Sequence, residues 1–400
     1  MSSNGKVLVQ TETGVRDITP YVRRLQFKNS LLLGHAQWSL AFSTPDWDFW
    51  DKFMVGKGLT YNLKIQSSRD GKPSETPWLS VVVDGSEATV RRNRMRGRVY
   101  GGGKELKMME EAKRRSFPSS TAANVIRRIA GEYGLLPTLD ASTGTRTWYQ
   151  ANQTDWEMMQ DAMRYYISSS NNRGDAYLNV DGTSLTVKPI NFAAPSVRKY
   201  DLSNLHRDDR IDGFETKFYG GQVDRRGGVV VEARGFDPSL GNVVTFTANP
   251  LTSGQPALAN KLPQPITGKK RVVLEPNGTL DFVRARALRE QAKMGGSYYA
   301  VSVNVLNDLE VRLRDMFEVF LKDRGGNSSK FAGRYGVHEY VIDYSRKKIC
   351  NRVIGFRKEA NVGKAPAVGA NVSRSIGIDK QRSAAGGRTS KTVTATPLGV

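Results

Sequence analysis

The chain has 400 residues, 60 of them Lys or Arg against 39 Asp or Glu, giving a formal net charge of +21. That length exceeds what one core usually organises and predicts two to four domains. A mean hydropathy of -0.47, with no apolar run near the ~18–20 residues of a membrane helix, argues against a transmembrane span. The excess of base points to an acidic partner such as nucleic acid, an anionic surface or an acidic protein. Cys350 is the only cysteine, which excludes an internal disulfide and a cysteine-rich zinc site; beside Ile349 and Val353 it is expected to be a buried structural thiol. The opening MSSNGKVLVQ carries no apolar signal core, so the expected place of synthesis and assembly is a cytoplasm.

Lys6 to about Tyr100 reads as β-rich. Val7-Leu8-Val9 is a short strand before a turn at Thr11 to Gly14, Leu25 to Lys28 alternates apolar and polar residues, and Ala36 to Phe42 continues the pattern. After the break at Thr44-Pro45-Asp46, Trp47 to Phe53 has the spacing of a short packing helix. Leu59 to Ile65 and Leu79 to Val83 are two more strands, with a polar loop predicted from Ser67 to Pro77. The densest basic run, Arg91-Arg92-Asn93-Arg94-Met95-Arg96-Gly97-Arg98, reads as a solvated strand and loop facing an acidic protein, with contact to phosphate as the alternative. Tyr100-Gly101-Gly102-Gly103-Lys104-Glu105 lacks the leading glycine and the magnesium-binding hydroxyl of a phosphate loop, and a flexible turn is expected there.

From Ser119 the period changes. Ser119-Ser120-Thr121 can cap a helix whose Ala122, Val125, Ile126, Ile129 and Ala130 share a face, ending at Gly131 or Gly134. Thr154 and Glu157 stand at capping-box spacing before Trp156, Met159, Met163 and Tyr166. Tyr177 to Val180 and Ser184 to Val187 flank Asp181-Gly182 as a β-hairpin. Strands return at Ile211 to Tyr219 and from Val229 to Pro238, followed by a loop from Ala248 to Pro265. A helix over Thr279 to Met294 turns Leu280, Val283, Ala287 and Leu288 inward, and Ser297 to Val305 is again a strand. Met316 to Leu321, Tyr335 to Tyr344 and Ile349 to Phe356 predict a three-stranded meander. Strict alternation in its middle strand would put Tyr335, Val337, Glu339, Val341 and Asp343 on one face and His338, Tyr340, Ile342 and Tyr344 on the other. After Ala360 the composition shifts to Gly, Ala, Ser and Thr with scattered base, which predicts an extended tail.

No reactive constellation emerges. His35, His206 and His338 are isolated, Ile342 stands where a helical HExxH motif needs its second histidine, and there is no G-x-S-x-G elbow. Asp155 with Glu157, and Glu110 with Glu111, could in principle form a glycosidase pair, but the first lies in a helix cap and the second in a linker. No catalytic, cofactor-binding or metal-binding residue is therefore assigned, and a non-enzymatic protein is expected.

The order of these features resembles the baseplate hub proteins of contractile-tailed bacteriophages, the group of the phage T4 hub and the late control protein D. Four stretches carry it: Arg16-Asp17-Ile18-Thr19-Pro20-Tyr21-Val22; Ser119 to Leu136 followed by Gln153 to Met159; Val229 to Gly241; and the meander from Leu309 to Arg357 with Gly333-Arg334-Tyr335-Gly336-Val337. Arg314-Asp315 replaces the usual proline-glycine, and His338 lies inside the strand rather than after it. The resemblance implies a mainly β fold with an α+β insertion. A first tube-like β domain would span 1–110, the insertion 111–198, and a second tube-like β domain with a helix-containing insertion 199–360, before a tail at 361–400.

It further implies a homotrimeric hub joining the sixfold tail tube to the threefold central spike, with tape-measure protein and DNA passing through its channel without sequence-specific binding, and with baseplate wedge proteins as neighbours. No cofactor is implied. On this basis the +21 charge would complement acidic tube, spike or wedge proteins, the run Arg91 to Arg98 would lie away from the channel wall, and the tail from Val362 to Val400 would thread onto a neighbour. A nonspecific nucleic-acid-binding protein and a tail-associated peptidoglycan hydrolase are the rival classes.

Overall fold

The computed structural model describes residues 5–11, 14–45, 58–69, 72–91, 93–169, 175–204, 210–219, 230–238, 240–248, 270–275, 279–294, 298–322, 325–346 and 348–358. The expected helix at Trp47 to Phe53, Arg92, His206, the loop at 249–265 and the tail at 361–400 lie outside these residues.

The chain enters as eight strands: β1 (Lys6–Thr11), β2 (Gly14–Asp17), β3 (Val22–Ser30), β4 (Ala36–Thr44), β5 (Thr60–Arg69), β6 (Lys72–Glu75), β7 (Leu79–Arg91) and β8 (Arg94–Gly102). An α+β segment follows, with α1 (Leu106–Met109), β9 (Ala112–Ser120), α2 (Ala122–Glu132), β10 (Leu136–Leu139), β11 (Arg146–Thr154), α3 (Asp155–Met163), β12 (Tyr177–Asp181) and β13 (Ser184–Lys188). The chain then returns to strands with β14 (Ser196–Asp201), β15 (Ile211–Tyr219), β16 (Val230–Asp237), β17 (Asn242–Ala248) and β18 (Lys270–Glu275), crosses α4 (Leu280–Met294), and closes with β19 (Tyr298–Leu306), β20 (Met316–Phe320), β21 (Gly333–Ser345) and β22 (Ile349–Lys358). The fold is mainly β with an α+β insertion, as the sequence predicts.

The strands before and after the insertion belong to one sheet in the order β15-β19-β22-β21-β3-β4-β8-β7-β5-β1-β2. The joint is β21, a single strand with two sets of neighbours. Its first half pairs with β20, and its second half, from Glu339 to Ser345, pairs with β3. Between the halves, Val337 faces Gly355 while Glu339 faces Ile354, so His338 is the extra residue of a β-bulge. The bulge inverts the parity that strict alternation predicts. Tyr335 and Val337 before it, and Tyr340, Ile342 and Tyr344 after it, lie on the same buried side, the former in the second β core and the latter in the first. The His338 carbonyl accepts from Leu31 N at 2.8 Å, which ties the bulge to the β3–β4 turn.

Four further expectations change. Ser67 to Pro77 is not a loop but the β5–β6 hairpin, because Lys64 and Gln66 bond to Glu75 across it. Tyr100 to Glu105 is not a flexible turn; it ends β8 and leads into α1 over a buried carboxylate. Leu280 is half exposed, and α4 instead buries Phe282, Val283, Ala285, Ala287 and Leu288. Cys350 is only half-buried, with burial pushing its thiol pKa up so that it stays protonated.

The two insertion helices form as predicted. Thr121 Oγ1 accepts from Asn124 N at 3.2 Å, and a full capping box joins Thr154 and Glu157. Their apolar faces meet Trp148, Leu178, Leu185 and Val187 in a separate core, which Phe282 of α4 also enters. The β12–β13 hairpin is held from two sides: Val180 N donates to Gly34 O at 3.4 Å, and Arg314 Nη2 donates to Tyr177 O at 2.9 Å. Arg314 takes a φ of +70°, and its side-chain contact with the hairpin helps hold that strained turn, while Asp315 Oδ2 accepts from Arg312 N at 2.7 Å.

Candidate functional site

An extended surface of the fold is one face of the eight successive strands β15-β19-β22-β21-β3-β4-β8-β7, every neighbouring pair of which is antiparallel. The reverse face is buried. Val301, Val303, Val305 and Val353 line the second core, and Leu25, Phe27, Trp38, Leu40, Phe42 and Val99 the first. Most of the alternate residues are turned to solvent, except where Val341 and Phe356 are buried, Phe356 in a further apolar cluster with Leu31, Ile190 and Met316. The solvated ones run from Glu215 and Lys217 through Ser302, Asn304 and Arg352 to Asp343, then across Gln26, Gln37 and Ser39 to Arg94, Arg96 and Arg98.

Charge on this face is partly paired between β15 and β3 and basic toward β7. Arg24 forms an ion pair with Asp343, Lys28 meets Glu339 at 3.1 Å, and Lys217 meets Glu215 at 2.9 Å. Such exposed pairs contribute ~0–1 kcal/mol each to stability, so their larger effect is to neutralise the surface. Toward β7 the basic run begins: Arg96 faces Thr89, and Arg98 faces Glu87 and lies 6.0 Å from the Tyr100 ring centroid.

Both ends of the eight-strand array carry an open edge. Residues 84–91 of β7 pair only with β8, and β15 pairs only with β19, among the described residues. Each edge shows apolar side chains on the core side, Val90 at 52% exposure on β7 and Phe218 at 48% on β15. Exposed apolar edges invite pairing with another chain.

The groups weighed for chemistry are dispersed. His35 Nδ1 donates to Leu33 O at 3.0 Å and its ring stands edge-on to Trp156, whereas His338 is half-buried at the bulge with its pKa lowered to about 4 by desolvation. Glu157 is the capping residue, and Asp155 is a buried structural anion bonded to Lys113, Arg115, Tyr133 and Gln150. No group of three or more His, Cys, Asp or Glu is placed to hold a metal among the described residues. No helix there is long and apolar enough to cross a membrane.

Among the described residues, Glu105 is a fully buried carboxylate at the seam between the sheet and the insertion. Its Oε1 accepts from Ala36 N and Gly103 N, both at 2.9 Å, and burial pushes its pKa up to about 7 against those bonds. The sign follows from linkage. The unfolded chain ionises near the ordinary value of ~4.5 while the folded one stays protonated, so stability falls between pH ~4.5 and ~7, by about 3 kcal/mol in all, and is level above. Glu105→Gln keeps an oxygen for both N–H groups and is expected to remove that slope. Urea unfolding of both proteins at pH 5 and pH 8 checks it; equal slopes in the two would refute the assignment.

No family model matches the sequence, and no curated protein matches it. Solved structures do share the fold. A tail protein from Neisseria meningitidis MC58 superposes with a TM-score of 0.59 at 11% identity, over 88% of this chain and 96% of that one. The 43 kDa tail protein of prophage MuSo2 from Shewanella oneidensis gives 0.54 at 10% identity, over 89% and 98%. A Francisella PdpA-VgrG complex gives 0.54 at 8% identity, over 90% of this chain but 59% of that one. The chain thus has the fold of tail proteins from two bacterial genomes, along nearly their whole length.

Proposed function

We propose that this chain is the structural hub of a phage tail: three copies close into a ring that joins the sixfold tail tube to the threefold central spike and surrounds the channel for DNA and tape-measure protein. The observation that carries this is the run of eight antiparallel strands whose outer side is solvated over most of its extent and whose ends are open at β15 and along residues 84–91 of β7. Eight is even, so the directions alternate through the array, and β7 of one copy runs antiparallel to β15 of the next when copies repeat by rotation. Head-to-tail contacts of that kind close into rings, and closure removes the open edges. The two halves of the array, one from each side of the insertion, would be the two tube-like domains at about 1–110 and 199–360. The likeness to tail proteins supports the same class, and the Francisella complex suggests a spike as the partner below.

The proposal reverses one expectation. Because the reverse face is filled by the two cores, the solvated face is the one that can line a channel, and Arg94, Arg96 and Arg98 are on it rather than away from it. The pairing of Arg24, Lys28 and Lys217 with carboxylates would then limit adhesion of passing DNA to the basic end.

The test uses Glu87→Cys and Glu215→Cys in a Cys350→Ser background with a short bis-maleimide. Mass photometry should give a trimer, and denaturing gels a covalent ladder ending at three chains. A stable monomer that binds duplex DNA with steep salt dependence would replace the hub with a nucleic-acid-binding protein. A trimer without interchain bridges would show that the ring closes through other surfaces.

A further inference from the structure

Away from the solvated face, an open cleft of about 530 Å³ lies between the first β region and the tip of the β12–β13 hairpin, within the ~300–1,000 Å³ range of small-ligand sites. One side is a row across three strands, in which Gln10 of β1 pairs with Asn62 of β5 and Asn62 with Ser80 of β7. Thr60, Pro77 and Trp78 extend it, and Lys104 with Asp181, Gly182 and Thr183 complete the lining.

The polar groups here are only lightly committed. Asn62 Nδ2 reaches Gln10 Oε1 at a long 3.5 Å, and the side chains of Thr60, Ser80, Lys104 and Thr183 hold no hydrogen bond among the described residues. Lys64, in contrast, is held by Glu75 at 2.6 Å and lies 5.5 Å from the Trp78 ring centroid, which fixes one side of the half-buried indole.

We propose that this cleft binds a short uncharged or N-acetylated oligosaccharide, with Trp78 as the stacking surface and Gln10, Asn62, Ser80 and Lys104 as partners for its hydroxyl and acetamido groups. Sugar hydroxyls both donate and accept, and so do the amides and hydroxyls lining the cleft. A pyranose ring also presents a C–H face that suits an indole, which is apolar on its face and polar at its edge. Other ligand classes fit less well. An anion would find one uncommitted cation, Lys104, in the same cleft as Asp181. An extended peptide would want apolar pockets at alternate positions, and the only apolar side chains here are Pro77 and Trp78.

The experiment is a calorimetric and NMR titration of the full chain with chitotriose, following the Trp indole N–H signals. Saturable one-site binding is expected, with Trp78→Ala weakening it at least ~tenfold, the loss of one well-placed aromatic contact. Ser80→Phe, which fills the row while leaving Trp78 in place, should abolish binding and decides the matter if Trp78→Ala misfolds. Absence of saturation into the millimolar range would overturn the proposal, as would unchanged affinity in either folded variant. Tighter binding of an alternating apolar peptide than of chitotriose would overturn it too. None of these outcomes depends on whether the chain forms a ring.

Discussion

Asp155→Ala is expected to destabilise the protein by about 3–5 kcal/mol, because removing one partner of a buried charge cluster leaves the others uncompensated. Asp155 has no exposed surface and accepts four hydrogen bonds: from Lys113 and Tyr133 at 2.7 Å, from Gln150 at 2.9 Å, and from Arg115. Burial alone would raise its pKa, but the bonds from Lys113, Tyr133 and Gln150 outweigh it and hold the carboxyl below the ordinary value. Its contribution is therefore complete above the usual carboxylate range and fades as pH falls through the lowered folded value. Asp155→Asn should recover little, since its amide N–H groups would meet the N–H groups of Arg115 or Gln150. Denaturant unfolding at pH 7 measures the loss; a change below ~1 kcal/mol would mean that Lys113 and Arg115 find water or Glu132 at no cost.

Phe317→Ala is the second large effect, also about 3–5 kcal/mol, through loss of buried area and the cavity it leaves. Phe317 is fully buried, stacked on Tyr335 with ring centroids 5.6 Å apart and tilted against Tyr200 at 5.7 Å. The site cannot collapse easily, because β22 passes so close that a Cβ at Gly355 would lie 2.3 Å from the Phe317 ring. Thermal unfolding should show the loss directly. An unchanged midpoint would mean that Tyr200 and Tyr335 close over the gap.

What could be read from the sequence was local. The caps at Thr121 and Thr154, the apolar faces of α2 and α3, the hairpin around Gly182 and the three-strand meander all depend on residues a few positions apart. What escaped depends on distant partners. The strand β9 (AKRRSFPSS) buries Phe117 as its only large apolar residue, so no alternation marks it; its pairing with β11 makes it a strand. Glu105 looks like one more charge until Ala36, 69 positions earlier, supplies its hydrogen bond. The bulge at His338 is invisible to a period-two count because β3 and β22 set it. The outer face was likewise unreadable as a unit, since each strand contributes only a few polar residues and the sheet order alone makes them neighbours.

The two-sided pairing of β21 also bears on how the protein comes into being. The first β core contains Tyr340, Ile342, Tyr344 and Ile349 alongside residues from Val7 to Val99, and Arg24 is joined to Asp343 across 319 positions. Non-local closure of this kind is slow, because the loop entropy is lost before the contacts form. A ribosome-bound chain therefore holds an open sheet edge at β3, with Leu25 and Phe27 short of part of their cover, until the last strands emerge. The insertion has most of its own core and can fold in the interval. Assembly of the sheet is thereby timed to the emergence of β21 and β22, long after β3 and β4 have left the ribosome.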